Sequence, residues 1–308
     1  MTTRREFLGS AASAGAALAL GGCRAFGGAA GGERVPYGDT IGDRLWMWGH
    51  HADSFASMKG DAREQYNLPF DRRIDMAAAC REMNVPGCFV VRWRNLPRKA
   101  DLPEYMKQFA STRRVGFSIT DSAKESFEEK VRFGLEYADR MPNLTSLVMD
   151  DFFSYKGYGL TVDAIRAAKE KMSVRRVKLG VVLYADANDV KPEFKEVLDL
   201  CDEVTFWFWN GKNVNTIEAQ VAKLRDLIGP EKPVLLGQYM YDFGGKKPLP
   251  GASMETQLAA ASRLLSRKAV HGLIFHCTPL VDMKLDAVDV SRAWIRENAA
   301  KKWGASGS

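Results

Sequence analysis

The sequence predicts a single-domain (β/α)8 barrel, the TIM-barrel class of fold. Past residue 40, eight short apolar runs alternate with eight amphipathic segments, with no break in composition between them. The runs are almost continuously hydrophobic, which is typical of parallel strands buried on both faces. The 308-residue chain is long enough for one barrel of ~250 residues, its loops and an N-terminal leader. A doubly wound open sheet is the second choice, since no Gly-rich phosphate loop follows any predicted strand.

The predicted strands are the apolar runs, and the predicted helices are the amphipathic segments between them. The strands are Arg44–His50, Pro86–Trp93, Val115–Thr120, Leu144–Met149, Lys178–Tyr184, Glu203–Trp209, Pro233–Tyr239 and Gly272–His276. The helices are Ile74–Met83, Leu102–Ala110, Ser126–Arg140, Val162–Met172, Glu193–Leu200, Thr216–Ile228, Glu255–Arg267 and Ala287–Ala300. The third helix has its apolar residues on one face, at a spacing of three and four.

The N-terminus is predicted to be an export signal. Arg4 and Arg5 lie in the motif Thr-Arg-Arg-Glu-Phe-Leu, a twin-arginine signature, and residues 1–22 form the predicted signal peptide. Leu-Gly-Gly-Cys, which ends at Cys23, resembles a bacterial lipobox, so Cys23 is the expected site of lipidation. An ordinary signal peptide with a chance cysteine is the alternative. Residues 23–40 are predicted to be a flexible tether and residues 41–303 the barrel, in a periplasmic or membrane-anchored lipoprotein.

The charge distribution limits the classes of partner that we expect, and the cysteine spacing bears on metal binding. The formal charge of +6 is modest, and the basic residues alternate with acids along the helices, which indicates a solvated surface. We therefore expect no nucleic-acid partner, and membrane association only through the lipid anchor. No cofactor and no metal are predicted. Four further cysteines lie mostly in apolar runs without metal-type spacing, so buried thiols are expected at Cys80, Cys88, Cys201 and Cys277.

Two adjacent acids follow the fourth predicted strand and are the candidate catalytic residues, Asp150 and Asp151. In a barrel of this class the chemistry lies at the carboxyl ends of the strands. An unpaired charge beside a core costs several kcal/mol, so two acids directly after a buried strand indicate a function. Consecutive strand residues point to opposite faces, and the pair shares one site only if the strand ends there.

The same strand ends are rich in aromatic and polar residues, a composition typical of carbohydrate sites. Sugar rings present apolar C–H faces that stack on aromatic rings, and hydroxyl groups that pair with acids, amides and histidines. For any one tryptophan, packing between barrel and helices is the alternative, and Trp93 and Tyr241 are further aromatic candidates. The candidate substrate-binding residues are Trp48, His50, Arg92, Tyr184, Asp186, Trp207, Trp209, Asn210, Gln238, Tyr239, Asp242 and His276.

The acid pair and a second segment resemble a known family. The apolar run that ends in Asp150-Asp151 resembles the catalytic pair of bacterial O-GlcNAcase-like and hyaluronidase-like β-N-acetylglucosaminidases. Phe206–Val214 is similar to the Trp-Thr-Gly-Pro-x-Val stretch that these enzymes carry after their sixth strand. The resemblance implies a glycoside hydrolase that acts on an oligo- or polysaccharide. It implies that Asp150 polarises the 2-acetamido group of the substrate and that Asp151 is general acid and then base.

The adjacency of the two acids leaves the second catalytic partner open. Neighbouring residues do not span the ~5–9.5 Å between the carboxyl groups of a two-carboxylate glycosidase. Either Asp151 works with a distant acid, for which Asp186 and Asp242 are the candidates, or the substrate supplies its own nucleophile.

Two other functions compete with hydrolysis. A barrel that binds glycan without cleaving it would use the same residue types. A zinc hydrolase is suggested by His50 and His51 with Asp53, but that class needs further histidines on later strands and the chain has only 4 in all. We therefore assign His50 and His276 to sugar hydroxyls or to the core.

Overall fold

The computed structural model describes residues 34–56, 66–68, 74–120, 125–154, 159–185 and 189–305. The predicted signal peptide, the lipidation site Cys23 and the candidate binding residue Asp186 lie outside this part of the chain. Within it, no helix is both long enough and apolar enough to cross a membrane.

Eight parallel strands close into a barrel, which confirms the predicted single-domain TIM-barrel fold. Around the barrel the strands follow the order β1-β10-β7-β6-β5-β4-β3-β2, and β2 pairs with β1. A two-residue antiparallel pair, β8 with β9, lies in the segment after β7 and was not predicted. The strands are β1 Leu45–His50, β2 Gly87–Val91, β3 Arg114–Thr120, β4 Leu144–Met149, β5 Lys178–Tyr184, β6 Glu203–Trp207, β7 Val234–Tyr239, β8 Tyr241–Asp242, β9 Lys247–Pro248 and β10 Gly272–His276.

Helices follow the barrel strands and cover the outside of the sheet. They are α1 Asp53–Ala56, α2 Met76–Glu82, α3 Leu102–Tyr105, α4 Phe127–Arg140, α5 Val162–Val174, α6 Lys195–Leu200, α7 Ile217–Ile228, α8 Gly251–Ser266 and α9 Asp286–Asn298. Short 3-10 helices occupy Gly42–Arg44, Trp93–Asn95, Met106–Phe109, Pro192–Phe194, Gly211–Thr216 and Thr278–Leu280.

Local chemistry explains where the helices begin. Ser126 precedes α4 and forms a capping box, in which its hydroxyl accepts from the amide of Glu129 and the Glu129 carboxylate accepts from the amide of Ser126. Helix α8 begins at Gly251, four residues before the predicted start. Pro250 holds the N-cap position there with a φ of −60°, an angle that its ring fixes.

Large aromatic side chains fill the lumen of the barrel, each above a glycine of a neighbouring strand. A Cβ on Gly87 would lie 2.6 Å from the ring of Trp46, and one on Gly237 would lie 2.0 Å from the ring of Trp207. Both tryptophans are almost completely buried. The lumen is therefore packed through its middle, and the space for a ligand lies at its carboxyl end.

From residue 34 onward, the segment before the first strand packs against the barrel. The Tyr37 hydroxyl accepts a 3.0 Å hydrogen bond from Trp46 Nε1, and the Arg114 guanidinium lies 4.3 Å from the Tyr37 ring centroid. Arg34 donates to the carbonyl oxygens of Pro142 and Arg175, at 3.2 and 3.0 Å. The part of the predicted tether from 34 to 40 thus closes the amino-terminal end of the barrel, since an aromatic and a cationic side chain find partners there.

Four cysteines in the described part of the chain are free and buried, as predicted: Cys80, Cys88, Cys201 and Cys277.

We expect Tyr37→Ala to lower the free energy of unfolding by about 2 kcal/mol, because a half-buried ring and a hydrogen bond to Trp46 are lost. Tyr37→Phe removes only the hydroxyl and is expected to cost about 1 kcal/mol. Urea denaturation followed by tryptophan fluorescence measures both. Equal stability of the wild type and Tyr37→Ala would show that this segment does not stabilise the barrel.

Candidate active site

A cavity of about 310 Å³ opens at the carboxyl ends of the barrel strands. Seven predicted site residues line it: Trp48, His50, Asp150, Asp151, Tyr184, Trp209 and His276. Trp93, one of the further aromatic candidates, also lines it. The remaining wall comes from Phe55, Tyr66, Ser154 and Phe243.

Both adjacent acids face the cavity because the strand ends just before them. Strand β4 stops at Met149, and Asp151 adopts a φ of 50°, in the left-handed region that aspartate tolerates better than most residues. The Thr120 hydroxyl donates to the carbonyl of Asp150 at 2.6 Å, and the amide of Ser154 donates to the carbonyl of Asp151 at 3.0 Å. The turn breaks the alternation of strand side chains and brings two carboxyl groups to one side.

Asp151 lies in an environment that favours its neutral form. Burial raises the pKa of its carboxyl group, and a hydrogen bond with Tyr184 opposes that effect without cancelling it. Burial, followed by the negative charges of nearby groups, raises the pKa of Tyr184 well above its usual value. Tyr184 therefore keeps its proton and donates a hydrogen bond to Asp151, which holds the carboxyl group in position.

Aromatic rings form much of the cavity wall. Trp209 stacks on Phe243, with ring centroids 5.5 Å apart and planes at 29°. Tyr66 meets both rings edge-on, at 6.0 and 5.5 Å. The backbone of Tyr66 is held by Tyr241, whose hydroxyl donates to its carbonyl oxygen at 2.8 Å. Such a wall offers flat apolar faces beside the polar carboxyl groups.

Two histidines stand on the wall formed by β1 and β10. The ring centroids of His50 and His276 are 5.3 Å apart, and His50 stacks on Trp93 at 5.2 Å. Burial lowers the pKa of His50 to about 3. Burial, and next the neighbouring His50, lower the pKa of His276 well below its usual value. Both imidazoles are therefore neutral at physiological pH.

Two predicted binding residues lie outside the cavity lining and bond within the protein. The fully buried Arg92 donates through Nε to the carbonyl of Pro97 at 3.1 Å and forms an ion pair with Glu125 at 3.3 Å. These bonds engage the Arg92 guanidinium within the protein. Gln238 is also fully buried, and its Nε2 donates to the carbonyl of Gly237 at 3.0 Å.

Asn210 and Asp242 also lie outside the cavity lining. Both side chains accept hydrogen bonds from backbone amides of loops. Asn210 Oδ1 accepts from the amide of Lys212 at 3.1 Å. Asp242 Oδ1 accepts from the amides of Gly211 and Gly245, at 3.0 and 2.7 Å. The carboxylate of Asp242 is thus committed to backbone amides and does not face Asp151 across the cavity.

Trp207 and Tyr239 support the cavity from behind. The Trp207 ring meets Trp48 edge-on at 5.2 Å and Tyr239 at 5.4 Å, and its Nε1 donates to Thr205 Oγ1 at 2.9 Å. Tyr239 lies 4.6 Å from the ring of His276. These contacts position the lining residues Trp48 and His276. The Trp207 side chain points into the lumen, as alternate side chains of a barrel strand do.

The wall residues that sequence reasoning missed come from loops and short helices. Phe55 lies in α1, and Phe243 follows the short strand β8. Neither stands at the end of a barrel strand, where the predicted site residues lie. An aromatic residue in a long segment after a strand is the feature that could have found them.

No family model and no curated protein matches the chain. The tryptophan synthase alpha-subunit of Pyrococcus furiosus is 12% identical over 84% of this chain and 98% of its own, with a TM-score of 0.49. An archaeal fructose-1,6-bisphosphate aldolase is 13% identical over 83% of this chain and 94% of its own, with a TM-score of 0.45. The Bacillus cereus spore cortex-lytic enzyme SleL is 9% identical over 86% of this chain and 76% of its own, with a TM-score of 0.49. These proteins share the fold class with this chain, and the resemblance carries no argument about its activity.

We expect Asp151→Asn to keep or raise the melting temperature at neutral pH. Because burial raises the pKa of Asp151, the charged carboxylate costs stability at neutral pH, and this cost disappears as the pH falls below the unfolded-state pKa of ~3.9. The difference between variant and wild type should therefore be near zero below that pH and grow in favour of the variant as pH rises. Differential scanning calorimetry across pH measures it.

The control is Asp226→Asn, which removes one charge from the exposed face of α7. Its melting temperature across pH gives the baseline against which the growth in Asp151→Asn is judged. A larger loss of stability in Asp151→Asn at pH 8 than at pH 4 would contradict the environment described for Asp151.

Proposed function

We propose that this protein is a glycoside hydrolase in which Asp151 is the general acid. One observation carries the proposal: a carboxyl group whose pKa is raised by burial sits at a turn in a cavity with aromatic walls, next to a second carboxyl group. A general acid must hold its proton near the working pH, and enzymes achieve this by burying the group. A protein that only binds glycan needs acceptors and gains nothing from a raised pKa.

The walls of the cavity suit a sugar. Trp48, Trp93 and Trp209 provide apolar faces for the C–H side of a pyranose ring, and the carboxyl groups accept from its hydroxyls. The volume of about 310 Å³ is near the lower end of the ~300–1,000 Å³ found for small-molecule sites. This favours a terminal sugar unit in the cavity over an extended chain.

Asp150 and Asp151 are too close in the chain to flank the bond from opposite sides, so we propose a substrate-assisted mechanism. Asp150 accepts the N–H of a 2-acetamido group, and the carbonyl oxygen of that group attacks the anomeric carbon. Asp151 transfers its proton to the departing glycosidic oxygen. Asp151, now a carboxylate, takes a proton from water as the water attacks the anomeric carbon and reopens the oxazoline ring. The resemblance to β-N-acetylglucosaminidases supports the same assignment of roles.

We also propose that the enzyme acts outside the cytoplasm as a lipoprotein anchored through Cys23. The support is the twin-arginine motif at Arg4 and Arg5 and the lipobox-like sequence that ends at Cys23.

The sharpest test of the acid uses leaving groups of different quality. A 4-nitrophenyl N-acetylhexosaminide leaves with little protonation, whereas an alkyl N-acetylhexosaminide needs the full proton transfer. We expect Asp151→Asn to lower kcat/KM for the alkyl glycoside by about 10³-fold, and for the nitrophenyl glycoside far less. Steady-state kinetics on both substrates measure the contrast.

Asp150→Asn is the matched variant, because it changes the same functional group one residue away. It should slow both substrates to a similar extent, and a thiazoline analogue of the cyclised intermediate should inhibit the wild type. If Asp151→Asn binds glycan like the wild type while neither protein cleaves any of a broad glycoside panel, the protein is a binding module.

Tyr184→Phe tests the hydrogen bond to Asp151. That bond lowers the pKa of Asp151, so its loss raises the pKa further and moves the alkaline limb of the kcat/KM profile to higher pH. We expect a lower kcat as well, since the carboxyl group loses its orientation. Tyr137→Phe on α4 is the control and should leave the profile in place. An alkaline limb that moves to lower pH in Tyr184→Phe would contradict the assignment.

A further inference from the structure

Three metal-binding side chains meet behind one wall of the cavity. A ring nitrogen of His50, a ring nitrogen of His276 and the Sγ atom of Cys277 all lie within 4.8 Å of one another. All three residues are buried. His50 ends β1, His276 ends the neighbouring strand β10, and Cys277 is the next residue.

The two histidines each have one ring nitrogen without a partner. Nδ1 of His50 and Nδ1 of His276 are buried, and neither makes a hydrogen bond within the part of the chain that the structure describes. Each side chain is only 7% exposed. A buried polar atom without a partner costs about 1–3 kcal/mol, and two such atoms side by side require an explanation.

A metal ion provides that explanation. Two imidazoles and a thiolate are a donor set that suits Zn²⁺, which takes nitrogen ligands at ~2.0–2.1 Å and sulfur at ~2.3 Å. Because Cys277 is buried, its thiolate needs a positive partner, and a divalent ion supplies one. Drawing the three atoms onto one ion requires movements on the order of 1 Å.

We propose that His50, His276 and Cys277 bind one zinc ion, and that the Cys277 thiol releases its proton to solvent when the ion binds. Zinc binds an imidazole through the lone pair of a ring nitrogen, so the thiol proton is the one that binding displaces. The thiolate is supplied from behind the wall, since Cys277 is buried and only the two histidines line the cavity.

The backbone around the site is held rigidly by Thr278. Its buried hydroxyl donates to the carbonyl oxygen of His50 at 2.9 Å and accepts from the amide of His50 at 3.0 Å. The ends of β1 and β10 are thus fastened together next to all three ligands. Aromatic rings fix the imidazoles, with Trp93 stacked on His50 and Phe243 edge-on to His276 at 5.0 Å. Preorganised ligands in an apolar shell are typical of metal sites.

Three protein ligands leave the fourth zinc position for a substrate atom. In the closed barrel, β10 lies opposite β4, so His276 stands on the wall across the cavity from Asp150 and Asp151. On the proposed function, a hydroxyl oxygen of the sugar takes the fourth position, and the ion fixes the sugar against the acids.

Cobalt is the probe that tests the site, since Co²⁺ replaces Zn²⁺ and reports a thiolate ligand by a charge-transfer band in the near ultraviolet. We expect the reduced, metal-free full-length protein to bind one equivalent of Co²⁺ with this band, and one equivalent of Zn²⁺ to remove it. Cys277→Ser should lose the band. Cys201→Ser is the control, because Cys201 is an equally buried free thiol at the opposite end of the barrel, before β6, and should keep it.

Affinity for Zn²⁺, measured against a chromophoric chelator, should fall at least about 100-fold in His276→Gln and about 10-fold in Thr278→Val. Circular dichroism verifies that each variant is folded. Absence of the band in the wild type, or an unchanged band in Cys277→Ser, overturns the metal site. Because no substrate is present, either result is independent of whether the protein cleaves a glycoside. Hydrolysis of a glycoside by chelator-treated protein would support Asp151 as the acid. The same result would overturn the proposal that zinc binds a sugar hydroxyl.

Discussion

The turn at Asp151 is the constraint on which the candidate active site depends. Side chains of successive strand residues point to opposite faces, so a strand that continued past Met149 would send one acid outward against the helices. Strand β4 ends instead, and the left-handed φ of 50° at Asp151 turns both carboxyl groups into the cavity. The hydroxyl of Thr120, on the neighbouring strand, fastens the carbonyl of Asp150 and so fixes where the strand stops.

The packed lumen supplies the environment that this turn requires. Trp207 fills the barrel above Gly237, and its ring meets the Trp48 ring edge-on with centroids 5.2 Å apart. The two rings form an aromatic floor below the cavity. Burial in this cavity raises the pKa of Asp151. Gly237 in β7 leaves room for the Trp207 ring below the cavity, far in the sequence from the acid after β4.

The barrel and its strand ends were readable from the sequence, because a strand buried on both faces leaves a continuous apolar run. The predicted β4 and β10 have the observed bounds, and the acids that follow β4 were recognised because a buried run has no reason to end in charge. What the sequence did not reveal is how each polar side chain is used. Arg92 and Asp242 have the composition of binding residues, but Glu125 and two backbone amides engage them.

Loops and docked segments were harder to predict for a different reason. Phe243 and Tyr66 reach the cavity through the path of the backbone, which no periodicity encodes. Residues 34–40 follow the Gly/Ala-rich residues 25–32 and show no periodicity, but Tyr37 finds a partner in Trp46 once the barrel is formed. Cys277 is an example of the same limit, since the sequence shows His276 next to it but contains no sign that His50 of β1 lies beside both.

The charge on the histidine wall of the cavity affects the pKa of the acids on the opposite wall. The imidazoles of His50 and His276 are neutral, so the wall opposite β4 adds no positive charge that would favour ionised acids. Under these conditions burial dominates, and the pKa of Asp151 is raised. A divalent ion held by the same histidines would act in the opposite direction, because a bound cation is the largest local charge in its site and stabilises nearby carboxylates. Both proposals therefore involve Asp151. The zinc ion would fix the sugar, but it would also lower the pKa of the carboxyl group that must protonate the leaving group. The distance across the cavity sets the balance between the two effects.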